Sequence, residues 1–415
     1  MKKSVFVLLL ILSLAACSFS GETNQSIAAK DSTFILPDCA QNSITNDILG
    51  DGRSILYING NNKLALVEDG GRSNFPLLKF DMEKKTIDDL FEPPHCVIAS
   101  GDSLFVDGRY YYFTNCSTDD IRTIYKLDTE NGFVETIDEH HLKNASTHSD
   151  SPFIYFSRFD DEKIIWVETN LDSSKIMLHD MSSNSTQTIV SYPNVPASET
   201  DIGISSHLVD TYVYDSRIYA LVLRIDTSNK HSYMFYEFDE TGHELGSYDL
   251  GDFELLGNTS NYVPLCIQGN RNYIVIRYWS GANEVYKLDH NGHTVEKVVD
   301  KSAGFRVLMS GMEYNYSDNC TQYIFMIKDD DHANENILYA LDTKTGQIIS
   351  KPLVSDEKYP YIYSGILDEN GSLLLSYVAL NSDGYKNTKE KIYYYLTSET
   401  IEDIFSEAGV ENSFR

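Results

Sequence analysis

Basic residues are scarce: 33 Lys and Arg stand against 62 Asp and Glu, a formal charge of −29 at pH 7. A field this negative repels phosphate, which argues against nucleic acid as a partner and against charge-driven binding to an anionic membrane. Long apolar runs are also lacking. Beyond the N-terminus nothing approaches eighteen apolar residues, so no helical membrane span is expected. There is no Cys-x-x-Cys among Cys39, Cys96, Cys116, Cys266 and Cys320, so neither a zinc knuckle nor a thioredoxin-type pair is indicated. Their odd number and wide spacing favour buried thiols on strands, with one bridge such as Cys96 to Cys116 left open. No Gly-x-Ser-x-Gly elbow, phosphate loop or dinucleotide fingerprint occurs. Core material is not lacking. Hydrophobic residues make up 42% and aromatics 12%, which excludes a disordered chain and provides for a large globular body.

The N-terminus reads as an address. Lys2 and Lys3 precede an apolar run, Val5 to Leu12, and then the small residues Ala15 and Ala16 before Cys17. This is a basic region, a short hydrophobic region and a cleavage point, and the run is too short to cross a bilayer. Leu14-Ala15-Ala16-Cys17 resembles the bacterial lipobox, in which the Cys thiol is diacylated (palmitate-type chains) and the chain is cut just before it. The resemblance implies lipidation at Cys17 and a mature chain stripped of Lys2 and Lys3. Two acyl chains anchor stably where one does not. Residues 18–31 are small and polar and read as a flexible tether.

A repeat organises the rest. Six segments end in Asp: Leu77–Asp81, Ile124–Asp128, Ile176–Asp180, Phe235–Asp239, Val285–Asp289 and Leu338–Asp342. A seventh, Tyr393–Thr397, has Thr instead. The steps are 47, 52, 59, 50, 53 and 55 residues. The Asp carboxylate is expected to accept the backbone N–H two residues on, and Gly132, Gly242, Gly292 and Gly346 to supply a left-handed backbone closing the turn. The recurring Asp is therefore read as structural. Strands precede each such segment, and a fourth follows its turn. Four short strands in units of about 50 residues, seven times, with hardly a helix between, give the fold class: all-β, a seven-bladed β-propeller. Two stacked sandwiches do not explain one period along the whole chain. The expected division is a signal peptide at 1–16, lipidated Cys and tether at 17–31, propeller at 32–398, and a C-terminal tail or short helix at 399–415. Ser32–Leu36 is a candidate closing strand; Glu399–Ala408 competes for that slot, although Ile401, Ile404 and Phe405 followed by Gly409 read more as a short capped helix.

In such a ring the first-to-second and third-to-fourth strand turns share one face. The second-to-third connections and the links between blades share the other. The second face carries the longer loops: Glu139–Ser151, Ser191–Ile204, Asp226–Met234, Lys328–Asn336 and Leu380–Lys391. Binding concentrates on such loops. On that face Tyr278 and Trp279 are candidates for stacking on a sugar or peptide, set against a core or inter-blade packing role, and Arg158 and His207 are candidates for pointing into the channel. His140, His141, His148 and Asp150 are a candidate divalent-metal cluster, set against a solvated polar loop. Asp329, Asp330, Asp331 and His332 lack the alternating spacing of a calcium loop.

Gly101-Asp102-Ser103-Leu104, with Asp138 and His141, imitates a serine esterase signature but sits in a β-hairpin rather than an α/β layer. Leu341–Gly346 imitates a quinoprotein repeat, yet such propellers carry a Trp in nearly every blade and this chain has only Trp166 and Trp279. Sialidase Asp-boxes and the Trp-Asp and kelch patterns are absent. The lipobox together with the repeat resembles bacterial envelope lipoproteins of the β-propeller type, over nearly the full chain. That resemblance implies a membrane-anchored chain on the periplasmic or surface side. The expected role is a lipid-anchored binding or scaffolding module presenting its loop-rich face to a protein or glycan, with no catalytic residues and no cofactor assigned. The alternative is an envelope hydrolase or lyase acting on carbohydrate or peptide.

Overall fold

The computed structural model describes residues 34–36, 44–45, 49, 53–59, 64–69, 76–92, 103–106, 109–116, 121–141, 154–160, 162–169, 173–252, 264–278, 281–308, 322–328, 336–355, 357–367, 371–382, 386–406 and 409–410. Two short strands, β1 (Phe34–Ile35) and β2 (Ile44–Thr45), precede the first blade. Blade 1 is β3 (Arg53–Asn59), β4 (Leu64–Asp69), β5 (Leu77–Asp81) and β6 (Thr86–Phe91). Blade 2 is β7 (Ser103–Val106), β8 (Tyr110–Cys116), β9 (Ile121–Asp128) and β10 (Val134–His141). Blade 3 is β11 (Ile154–Arg158), β12 (Lys163–Thr169), β13 (Ser173–Asp180) and β14 (Ser185–Pro193). Blade 4 is β15 (Ile204–Tyr214), β16 (Arg217–Asp226), β17 (His231–Phe238) and β18 (Glu244–Asp252). Blade 5 is β19 (Pro264–Gly269), β20 (Tyr273–Tyr278), β21 (Asn283–Asp289) and β22 (Thr294–Val299). Blade 6 is β23 (Phe305–Val307), β24 (Tyr323–Lys328), β25 (Ile337–Asp342) and β26 (Gln347–Val354). Blade 7 is β27 (Tyr361–Leu367), β28 (Leu373–Leu380) and β29 (Lys386–Leu396). Then come α1 (Ser398–Ser406) and β30 (Gly409–Val410). Each blade is a separate antiparallel sheet in chain order, so the protein is a seven-bladed all-β propeller. First strands touch one another between β7 and β11, β11 and β15, β15 and β19, and β27 and β3, which places the first strands on the inner ring.

Period-2 alternation builds the contacts between blades. In β16, Ile218, Ala220 and Val222 cluster with Ile165 and Val167 of blade 3, while Tyr219 and Leu221 cluster with Ile274 and Ile276 of blade 5. All are fully buried, and each such side chain contributes roughly 1.5–3 kcal/mol. A blade's middle strands are apolar on both faces because each face meets a neighbour.

Ring closure departs from the expectation. Ile44 and Thr45 pair with Tyr393 and Ile392, so β2 supplies the outer strand of blade 7. The segment expected there instead runs parallel to β26, with Phe34 opposite Leu353 and Ile35 opposite Val354. Burial is the reason: Leu36 is sealed at 0% exposure in the cluster holding Leu353, Phe325 and Leu338. β30 pairs with the same strand at Ile349 and Ser350, so both chain ends cover the outer edge of blade 6. In α1, Ile401, Ile404 and Phe405 are buried against that blade, with the Phe405 ring 5.3 Å from that of Tyr323.

The Asp turns have the expected chemistry. Oδ1 of Asp81, Asp128, Asp180, Asp239, Asp289 and Asp342 accepts the N–H two residues on in every case. Gly132, Gly242 and Gly346 adopt φ of 74°, 81° and 73°. Gly292 does not take this role: His293, at φ 50°, is the left-handed residue of its turn. A Cβ on Gly292 would lie 2.8 Å from Asp289 Oδ2, so the carboxylate would have to shift to admit one.

Candidate functional site

A cleft of about 420 Å3 opens at the loop-rich end of blade 4. Its walls are the link from blade 3, where Val195, Pro196 and Ala197 lie, and the β16–β17 turn, where Thr227 and Asn229 lie. The floor is β15, which presents Ser205 and His207. Residues two apart on a strand point to the same face, so Ser205 and His207 share one. Ser205 Oγ and His207 Nε2 are 2.8 Å apart, and His207 Nδ1 is 2.9 Å from Asn194 Oδ1. An amide oxygen only accepts, so Nδ1 carries the hydrogen and Nε2 offers its lone pair to the Ser205 hydroxyl. Burial holds the imidazole below its ordinary value, and the nearby charge of His231 adds to this.

Local chemistry fixes both walls. Thr200 ties down its link, its Oγ1 donating to Ala197 O at 2.9 Å and accepting from Ile204 N–H at 2.9 Å. Asp226 closes the opposite turn: Oδ1 accepts the Ser228 hydroxyl and the N–H groups of Ser228 and Lys230. Those bonds, the Ser228 hydroxyl first, hold its carboxyl below the usual carboxylate range. Just past His207, the Leu208 N–H bonds Ser174 Oγ at 2.8 Å, and a β-bulge falls between Leu208 and Asp210.

The loops are shorter than expected. The turn after Asp226 spans only residues 227–230, because β17 starts at His231, and β29 starts at Lys386. Strand pairing runs further toward the face in both cases.

Of the expected site residues among those described, only His207 lines the cleft. Arg158 ends β11 at the opposite, tight-turn face, its Nε donating to Asp160 O at 3.2 Å, so these two do not meet. Tyr278 is fully buried and its hydroxyl donates to Glu284 Oε2 at 2.5 Å. Its ring is core, not a stacking surface. Glu284 also accepts from Tyr286 Oη at 2.7 Å and Lys297 Nζ at 2.7 Å. His140 and His141 are strand residues of β10, paired with Arg122 and Ile121 rather than looped out. Trp279, His148, Asp150, Cys17 and the Asp329–His332 run lie outside the described residues. Among the described residues no three His, Cys, Asp or Glu side chains converge as a metal site would require.

The esterase-like signature is dismantled by topology. Ser103 begins β7 and His141 ends β10, at opposite edges of a four-stranded sheet. Three strand spacings separate them by about 14 Å. The serine and histidine that do meet are Ser205 and His207. Ser205-Ser206-His207 on an innermost strand was the available signal. Asn194 gives no local signal, since the link of blade 3 brings it in.

No protein-family model matches the chain, and no curated protein matches its sequence. The structure is similar to an oligogalacturonate lyase in complex with manganese, at 13% identity over 84% of this chain and 91% of that one, TM-score 0.46. It is similar to the β-propeller domain of the trilobed protease from Pyrococcus furiosus, at 13% identity over 86% and 94%, TM-score 0.45. TolB from Acinetobacter baumannii matches at 13% identity over 80% and 76%, TM-score 0.37. At such identities what this chain shares with them is the propeller itself.

Proposed function

We propose that the chain is a lipid-anchored propeller that binds a protein or glycan partner on its loop-rich face, with the His207 cleft as the recognition site. The observation that carries this is the cleft: about 420 Å3, apolar on one wall, polar on its floor, and built where two connections converge on a rigid sheet. Such a volume suits one side chain or one sugar ring of a larger partner. The envelope location and the anchor at Cys17 belong to the same reading and rest on the lipobox.

Two exposed apolar residues provide the test. Ile202, 73% exposed, lies in the link beside the cleft, and Phe133, 66% exposed, lies on the tight-turn face. A Cys17→Ser form of the protein is applied to glycan and peptide arrays. The expected result is that Ile202→Asp loses the captured partner and Phe133→Asp keeps it. The reverse pattern refutes the assignment of the face.

A further inference from the structure

We propose that Ser205, His207 and Asn194 form a nucleophile, general base and orienting group for acyl transfer from a neutral ester of a short acyl chain. This goes beyond partner binding and does not depend on it.

The geometry has the three parts such chemistry needs. A hydroxyl lies within hydrogen-bond reach of an imidazole nitrogen, 2.8 Å, and the other nitrogen is fixed at 2.9 Å by an acceptor. Asn194 Oδ1 sets the tautomer that leaves Nε2 basic. Burial keeps the ring uncharged at neutral pH, as a base must be. Ser205 is 4% exposed, and its side chain borders the cleft. Ser205 and His207 sit on an innermost strand held on its other side by β16, which keeps their spacing rigid.

The step balances without a further reagent. As Oγ bonds the ester carbonyl carbon, its proton passes to His207 Nε2 and the carbonyl electron pair moves to oxygen. Asn194 Oδ1 keeps its bond to Nδ1–H of the imidazolium. The oxyanion collapses, the carbon–oxygen bond to the alcohol breaks, and Nε2 returns the proton to that alcohol. Acyl-Ser205 remains. Water then attacks the acyl carbon, giving a proton to Nε2, and the acid departs as Ser205 recovers it. Asn229 also lines the cleft, and its side-chain amide is the group the proposal assigns as donor to the developing oxyanion.

The substrate class follows from the walls. Val195, Pro196, Ala197 and Ile225 are apolar, and among the described residues no lysine or arginine side chain lines the cleft. Asp226 adds a negative charge in a protein of −29. An anionic ester is therefore disfavoured. A neutral amide orienter stabilises the imidazolium less than a carboxylate does, which slows acylation and deacylation alike, so turnover is expected to be slow. The appropriate readout is covalent capture, not turnover.

The purified chain is incubated with a fluorophosphonate probe and, separately, with p-nitrophenyl acetate, and the adduct is located by intact mass and peptide sequencing. One adduct on Ser205 is expected. Ser205→Ala abolishes it, and His207→Gln, which keeps an acceptor for the hydroxyl, slows it at least tenfold with the melting temperature retained. Ser183→Ala, altering an exposed serine of the tight β13–β14 turn outside the cleft, leaves it unchanged. The proposal is overturned if folded wild type takes no label, if label scatters over other serines, or if His207→Gln labels at the wild-type rate. Array binding that fails while Ser205 still labels strikes only the face reading, and the converse strikes only this one.

Discussion

Asp210 Oδ2 accepts the Ile267 N–H at 2.8 Å, linking the innermost strand of blade 4 to that of blade 5. Oδ1 takes the Thr211 N–H at 2.7 Å, and the residue is 1% exposed. The Val209 bulge turns this carboxyl to the neighbouring blade.

Burial dominates at Asp210. It pushes the carboxyl up to about 8 from the ordinary 3.8, although both N–H bonds oppose the shift. The native state then holds a proton that the unfolded chain gives up, so this group's stability is present in full below pH 4 and lost as pH rises to about 8. The difference is on the order of a few kcal/mol. Asp210→Asn removes the titration. Between pH 5 and 8.5 the wild-type melting temperature is expected to fall several degrees further than that of the variant, on the order of 2–4 °C per kcal/mol. Parallel curves would rule the buried proton out.

Glu284 and Lys297 give a second prediction. Glu284 is 1% exposed, and Lys297 Nζ lies 2.7 Å from it while also reaching Asp300. Lys297→Met leaves a buried carboxylate with only the Tyr278 and Tyr286 hydroxyls. The expected cost is about 3 kcal/mol, the low end for breaking a buried pair because Lys297 is partly exposed. Adding Glu284→Gln should restore most of it. Chemical unfolding of the single and double variants measures this, and a double variant weaker than Lys297→Met refutes the coupling.

The blades were legible because period-2 burial and a recurrent Asp turn are local rules that repeat. Asp81 and Asp342 lie far apart, yet each takes the N–H two residues on. Closure was not legible, since Phe34–Ile35 and Ile44–Thr45 are both two-residue strands with little pattern of their own, and the burial of Leu36 beside the first is set by a distant blade. At the site, His207 was a readable candidate by its strand. Its partner Asn194 was not, because a link from another blade carries it in. For Tyr278 the packing reading holds over the stacking one, but an aromatic at a strand end gives no sign of Glu284, six residues on, taking its hydroxyl.

Gly242 and Gly251 separate backbone strain from crowding. Their φ values are 81° and 89°. A Cβ on Gly242 would lie 2.1 Å from Ile189 O in the outer strand of blade 3, whereas one on Gly251 meets nothing within 4 Å. Gly251→Ala therefore carries only the left-handed penalty, about 1 kcal/mol. Gly242→Ala must also push blades 3 and 4 away from each other and is expected to cost more than about 2 kcal/mol. Equal shifts in the unfolding midpoint would show that blade 3 yields freely there.

Ser174 is fully buried, and its hydroxyl oxygen accepts the Leu208 N–H at 2.8 Å, immediately beyond His207. The bond crosses from blade 3 to blade 4 where the bulge interrupts regular pairing. Ser174→Ala removes the acceptor without adding volume, so the Leu208 N–H is left buried and unmatched at a cost of about 1–3 kcal/mol. Because the loss is local, hydrogen exchange should separate it from general destabilisation. The Leu208 amide is expected to lose protection by at least tenfold more than the amide of Ile218, in the middle of β16. If both fall equally, Ser174 supports the blade as a whole and does not specifically hold the strand end that carries His207.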